Sequence, residues 1–223
     1  MKQIKYFFYI LIFLISSSAV FAQNNTISPY SKLGLGDFET MGFGWNTALG
    51  GSGIALRTSI TLNNLNPAAI SALDSTSVIF EVGVHGDYTH LKTMNQSGGK
   101  KNANLSYMAL GLGITSKWGM SFGLVPYSNV GYTFETLSPI SGTIGNYRTK
   151  YEGSGGLSKF FFTNAYNVTK DISLGVNFSF LFGPKNDIEY YGLPNTNYYE
   201  ITQQLSTKYR GFVFDFGYQQ TLH

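Results

Sequence analysis

The sequence predicts an all-β chain: a partial transmembrane antiparallel β-barrel of about six strands behind an irregular N-terminal hatch. Three observations predict it. A secretory leader opens the chain, charged residues make up only 12% against 16% aromatics, and from Thr76 onward apolar residues recur at every second position. So little charge beside 18 Phe and 16 Tyr means that something other than water faces much of the surface. Beyond the leader no run approaches the ~18 apolar residues of a helical span. A membrane protein without helical spans is a closed barrel, because lipid cannot satisfy an open sheet edge.

The leader has its parts in the order that export needs. Met1-Lys2-Gln3-Ile4-Lys5 is charged, Tyr6 to Ile15 is apolar, and Val20-Phe21-Ala22 ends in small residues before Gln23. Residues 1–22 are therefore expected to be a cleavable signal peptide, and the mature chain to reside in the cell outer membrane. A membrane anchor is the alternative; the short apolar run and the following Ser16-Ser17-Ser18 argue against it. The chain has no Cys, hence no acylated cysteine, disulfide framework or thiolate metal site. Two of the fifteen Lys+Arg lie in the leader, so the mature chain is near neutral and gives no electrostatic reason to expect nucleic acid.

Residues 23–75 are broken by Gly, Pro and Asn, as in Ser28-Pro29-Tyr30-Ser31-Lys32-Leu33-Gly34-Leu35-Gly36-Asp37 and Gly50-Gly51-Ser52-Gly53. No strand or helix period persists there, apart from one short helical turn expected around Pro67 to Leu73. The segment reads as a periplasmic hatch or plug.

Residues 76–223 read as the incomplete barrel. The first strand carries Val78, Phe80, Val82, Val84, Gly86 and Tyr88 on one face, with Ser77, Glu81, His85 and Asp87 between them. A second carries Met108, Leu110, Leu112 and Ile114, and a third Met120, Phe122 and Leu124 before Pro126. A fourth carries Phe160, Phe162, Asn164, Tyr166 and Val168. The fifth carries Ile172, Leu174, Val176, Phe178, Phe180 and Phe182, and the sixth Phe212, Phe214, Phe216 and Tyr218.

The connections alternate in length. Thr115 to Gly119 and Val168 to Asp171 are tight, whereas Thr93 to Asn102, Leu137 to Tyr147 and Pro184 to Asn197 are long. Bacterial barrels put short turns in the periplasm, so the first strand runs outward. Tyr88, Trp118, Tyr132, Tyr190, Tyr191, Tyr198, Tyr199 and Tyr209 are then expected at headgroup level; packing inside a soluble β-sandwich is the alternative. About eight strands are needed to close a barrel around side chains, and the sequence ends at Thr221-Leu222-His223 without a terminal aromatic. A truncated or incomplete copy of a longer protein is the expectation.

Ala48-Leu49-Gly50-Gly51-Ser52-Gly53-Ile54-Ala55, then Asn66-Pro67-Ala68, then the strand near Ser77, resemble the N-terminal hatch of FadL-type outer-membrane proteins. Ser28-Pro29-Tyr30-Ser31 and Pro126-Tyr127-Ser128-Asn129-Val130-Gly131-Tyr132 are similar to barrels of this kind from Bacteroidetes. The resemblance implies a monomeric barrel of fourteen strands, only six of them present. It also implies a hatch containing Gly50, Gly51, Gly53, Asn66, Pro67 and Ala68, and diffusion of fatty acids or other hydrophobic small molecules. Sideways release through a kinked third strand places a gate at Pro126, flanked by Gly123 and Gly131; a strand simply bending into a loop is the alternative.

The chemistry-bearing residues add no enzyme. His85 shares the polar face of the first strand with Ser77, Glu81 and Asp87, and polar lumen lining is favoured over a metal site or a Ser-His hydrolase. Lys100-Lys101 reads as a solvated outer loop or a contact to lipopolysaccharide. Gly153-Ser154-Gly155-Gly156 is read as lying outside a regular strand and opening no helix, so it is no phosphate loop. No catalytic residue, metal or cofactor is expected. The expected partners are outer-membrane lipids and lipopolysaccharide, a hydrophobic ligand and an outer-membrane protein. A hydrophobic-compound channel is the first functional reading. The second is an adaptor or shuttle subunit of an outer-membrane complex such as type IX secretion.

Overall fold

The computed structural model describes residues 26–39, 42–92, 94, 97–139, 145–192 and 201–222. The leader expected over 1–22 lies outside them. The described residues form one seven-stranded sheet, all of its pairings antiparallel. Its strands are β1 (Asp37–Phe38), β2 (Val78–Lys92), β3 (Ser97–Thr115), β4 (Trp118–Pro139), β5 (Asn146–Asn167), β6 (Ile172–Gly192) and β7 (Ile201–Gln220). β2 to β7 pair in sequence order and β1 joins β4 from the side. Among the described residues β2 and β7 form the two ends of an open, partial barrel wall.

Alternation decides which way each side chain faces. On β6 the inward positions Ser173, Asn177 and Ser179 are buried, while Leu174, Val176, Phe178 and Phe180 alternate with them outward. The registers Phe162↔Phe178↔Phe214 and Phe160↔Phe180↔Phe212 align outward phenylalanines across three strands. Their rings meet at 5.1–5.5 Å between β6 and β7, the spacing of aromatic pairs. Phe212, Phe214 and Phe216 remain 66%, 61% and 80% exposed. An exposed apolar exterior, with the inward side of β6 polar, suits a bilayer.

Tight turns close one end of the sheet through side-chain hydroxyls: Thr115 Oγ1 accepts from the Lys117 N–H, and Thr169 Oγ1 from Asp171 and Ile172. At the other end the strands run much farther than alternation suggests. They are 15 to 22 residues long, against roughly 9–11 for a membrane crossing. Residues 97–102, 137–139 and 184–192, expected in loops, lie in β3, β4 and β6; residues 93, 95–96, 140–144 and 193–200 are outside the described set. Gly153-Ser154-Gly155-Gly156 is likewise corrected: it lies within β5, where Gly155 and Gly156 adopt φ of +119° and +144°. Gly, Pro and polar side chains mask the two-residue period there; residues 97–101 of β3 are exposed on both faces, whereas Lys185 on β6 is buried.

Residues 26–39 and 42–74 line the inner face. They include short 3-10 helices at Pro29–Lys32 and Pro67–Ala72 and one α-helix, α1 (Gly44–Ala48). The segment is not confined to the tight-turn end, as the expected periplasmic plug is. Ser28 to Phe38 reach the distal half of β4, where Asp37 pairs with Asn129 and the Ser28 N–H bonds the Gly131 carbonyl at 3.0 Å. Tyr132, expected at headgroup level, is only 2% exposed and donates to Asp187 Oδ1 at 2.5 Å.

The core lies between this segment and the sheet. Phe43 stacks on Tyr107 at 4.1 Å and leans on Phe161, with Leu62, Ile70, Leu73, Ala109 and Ala165 completing the cluster. Residues 66–74 approach the strands backbone to backbone. A Cβ at Gly113 would sit 1.9 Å from the Asp74 carbonyl oxygen, at Gly119 2.1 Å from that of Ile70, at Gly175 2.4 Å from the Pro67 carbonyl carbon, and at Gly217 2.6 Å from the Ala68 nitrogen. These glycines, on β3, β4, β6 and β7, form a trough that only hydrogen leaves open. Gly175→Val should therefore destabilise the protein by about 1–3 kcal/mol in denaturant unfolding from detergent micelles. The neighbouring outward change Val176→Leu should stay within about 0.5 kcal/mol; equal effects would show that the trough is not tightly packed.

Candidate functional site

The structure gathers its polar chemistry where the N-terminal segment meets the wall. Asn66, Pro67 and Ala68 form the lower anchor. Asn66 precedes a 3-10 helix that carries Pro at its first position, and its Oδ1 accepts the Ala68 N–H at 3.0 Å. Its Nδ2 donates to the carbonyls of Ile54 and Tyr218, both at 3.1 Å, so one amide ties the segment to itself and to β7. Gly50, Gly51 and Gly53 lie upstream with φ of +71°, +81° and +127°. Only Gly53 is crowded: a Cβ there would meet Asn46 Nδ2 at 2.4 Å.

Arg57, which the sequence does not single out, holds the same region from the centre. Nη1 donates to Ser71 Oγ (3.3 Å), Ser173 Oγ (2.7 Å) and Gln219 Oε1 (3.4 Å), and Nη2 to Asn167 Oδ1 (2.9 Å). One planar fork thus spans the 3-10 helix, β5, β6 and β7. Burial holds its pKa below the ordinary guanidinium value, and all four acceptors are neutral, so the fork acts as a mechanical tie. A lone Arg in a Gly-rich stretch gives no sequence signal for this.

The distal anchor is built from cations. Lys185 is 6% exposed, and its Nζ donates to the Lys32 carbonyl at 2.6 Å and the Gly34 carbonyl at 3.1 Å, with Asp187 at 3.8 Å. Lys32 lies 3.6 Å from the Tyr151 ring centroid and 3.4 Å from Glu189. The helix Pro29–Lys32 is thereby fixed to β5 and β6.

Gly123, Pro126 and Gly131 mark a change of neighbour along β4. Pairing with β3 runs from Thr115↔Trp118 to Met108↔Leu124 and stops, although both strands continue. The register shifts between Pro126 and Ser128 on the β5 side, as expected where a proline lacks a ladder donor. Beyond it the N-terminal segment takes the vacated edge. Asp37 and Phe38 pair with Asn129 and Ser128, the Glu39 N–H donates to the Tyr127 carbonyl (3.1 Å), and the Gly131 N–H to Ser31 Oγ (3.1 Å). Gly123 lies below the break, where a Cβ would be 2.3 Å from the Met108 carbonyl oxygen.

Of the residues weighed for chemistry on and just before β2, His85 and Asp87 sit together, with His85 Nε2 4.0 Å from Asp87 Oδ1 and 3.9 Å from Glu39 Oε2, whereas Ser77 and Glu81 bond elsewhere. His85 Nδ1 is 2.8 Å from Ser106 Oγ, Glu81 accepts from the Leu62 N–H and the Tyr107 hydroxyl, and Ser77 donates to the Asp74 carbonyl. Each therefore has a local structural partner. Lys100 and Lys101 are exposed on β3.

Replacing Arg57 by Met removes the fork and leaves its acceptors without a common donor. Limited proteolysis between residues 53 and 62 should then accelerate by about tenfold or more, with Arg57→Lys intermediate. An unchanged cleavage rate would show that the fork carries no load.

Comparison with known families matches the chain to the BamG family, over residues 2–223. No curated protein and no solved structure matches the chain. This finding overturns the FadL-type resemblance and, with it, the expected uptake of hydrophobic compounds. The physical reason for the misreading lies in the motif. Asn66-Pro67-Ala68 caps and docks a short helix against a sheet, a local task that carries no information about what the protein handles. The chain belongs to the BamG family and, with that family, is associated with the outer membrane.

Proposed function

We propose that this protein is an adaptor subunit in the assembly of outer-membrane proteins, one that binds a protein partner and does not conduct small molecules. Membership of the BamG family over residues 2–223 carries the reading, because it points to outer-membrane protein assembly. The anchoring of residues 28–39 and 42–74 supports it. A conducting barrel needs a part that yields, whereas here the segment that occupies the interior is tied at Arg57, Asn66 and Lys185 and contributes β1 to the wall.

The wall supplies the remaining requirements of an adaptor. The phenylalanine bands of β5 to β7 suit a lipid surround. The distal ribbons, such as β2–β3 from Tyr88 to Lys101, offer polar side chains beyond it. Export by the leader completes the route to the outer membrane.

Purification of the natively expressed, tagged protein in mild detergent tests this. It should bring down the complex that assembles outer-membrane proteins, and its depletion should lower the amount of folded outer-membrane proteins. A protein that migrates alone, with a depletion that reduces only the uptake of a labelled fatty acid, would refute the adaptor reading.

A further inference from the structure

Alternation sorts the charges of β6 and β7 by face. Their acidic side chains point inward, where Asp187 accepts from the Tyr132 hydroxyl at 2.5 Å, Glu189 meets Lys32 at 3.4 Å and Asp215 accepts from the buried Asn177 at 2.8 Å. Lys208 and Arg210 lie instead on the outward side, as the next two positions of the face that carries Phe212, Phe214 and Phe216. Both are exposed, and their register partners on β6 are Pro184 and Phe182. Among the described residues neither makes a hydrogen bond or an ion pair, whereas Lys150 on β5 has Glu152 at 2.6 Å. The stretch from Gln220 back to Arg210 is about as long as one membrane crossing, roughly 9–11 residues. The pair therefore stands where the apolar band ends: two cations about 7 Å apart along one strand, with no anion beside them on the outward face of the described residues of β6 and β7.

We propose that Lys208 and Arg210 bind the phosphate of an anionic membrane lipid whose acyl chains lie along Phe182, Phe212 and Phe214. Two neighbouring cations match the several acceptor oxygens of a phosphate, and the guanidinium of Arg210 adds a bidentate contact. The phenylalanines decide the source of that phosphate. A ligand that meets both the rings and the cations carries hydrocarbon and anion within one short span, as an amphiphile does and a soluble phosphate or an acidic protein loop does not. With the tight turns in the periplasm, the lipid belongs to the outer leaflet. The site lies on the outer surface of the wall, away from the N-terminal segment, and does not depend on the adaptor reading.

Titration of the full chain in uncharged detergent micelles with diphosphoryl lipid A, and with the same lipid stripped of its phosphates, tests it when the bound lipid is counted by native mass spectrometry. The phosphorylated lipid should bind about tenfold or more tightly than the stripped one. Lys208→Gln with Arg210→Gln should abolish that preference and leave the stripped lipid unchanged, while Lys100→Gln, on β3, should leave the preference intact. Inorganic phosphate in excess should displace little of the lipid. Folding of each variant is checked by its heat-dependent gel mobility. Equal binding of the two lipids to the unaltered protein overturns the proposal, and so does a preference that survives the double substitution. Displacement of the lipid by inorganic phosphate at equal concentration assigns a free-anion site, and tighter binding of a hexaglutamate peptide assigns an acidic protein partner; either result also overturns it.

Discussion

An N-terminal segment can line the inside of a β-sheet only if its own backbone polar groups are satisfied there, away from water. This protein meets the requirement by close approach. Glycines at 113, 119, 175 and 217 let residues 66–74 touch the strand backbones, and side chains of both parties then complete the hydrogen bonds. Asn66 reaches the Tyr218 carbonyl, Arg57 gathers acceptors from three strands, and Asn167 Nδ2 donates to the Ser71 carbonyl. Larger residues in the trough would hold the segment away and leave those groups unpaired. The outward phenylalanines stay on the outside because the inner face is already covered by this segment, through the Phe43 cluster and the hydrogen bonds around it.

The wall was legible in the sequence because alternation is a local signal. Val78 to Tyr88, Ile172 to Phe182 and Phe212 to Tyr218 each show an apolar face without reference to the rest of the chain. The signal fades where Gly, Pro and polar residues interrupt the apolar face, and so the distal parts of β3, β4 and β6 read as loops. Gly153 to Gly156 hid the middle of β5, because glycine reads as punctuation although here it gives room to the Tyr132 ring, 2.0 Å from a Cβ at Gly153.

The candidate site was far less legible, since it depends on contacts between residues more than a hundred positions apart. Arg57 meets Gln219, and Lys32 meets Glu189, pairings that no spacing rule can anticipate. Pro126 was conspicuous, and the pairing of β3 and β4 does break near it. What fills the break, residues 28–39, could not be read from a stretch without periodicity. Asn66-Pro67-Ala68 misled for the opposite reason: it is readable, but what it encodes is a capped helix. Family identity required the whole chain.

The proposed function depends on a fixed N-terminal segment, held by the trough, the Arg57 fork and the Lys185 tether. Amide hydrogen exchange of the partner-free protein in detergent micelles measures that directly. Residues 66–74 and 28–38 should exchange within about tenfold of the central residues of β5 and β6, as parts of one cooperative unit do. Exchange of either stretch at the rate of an unfolded chain, with β5 and β6 still protected, would contradict the account.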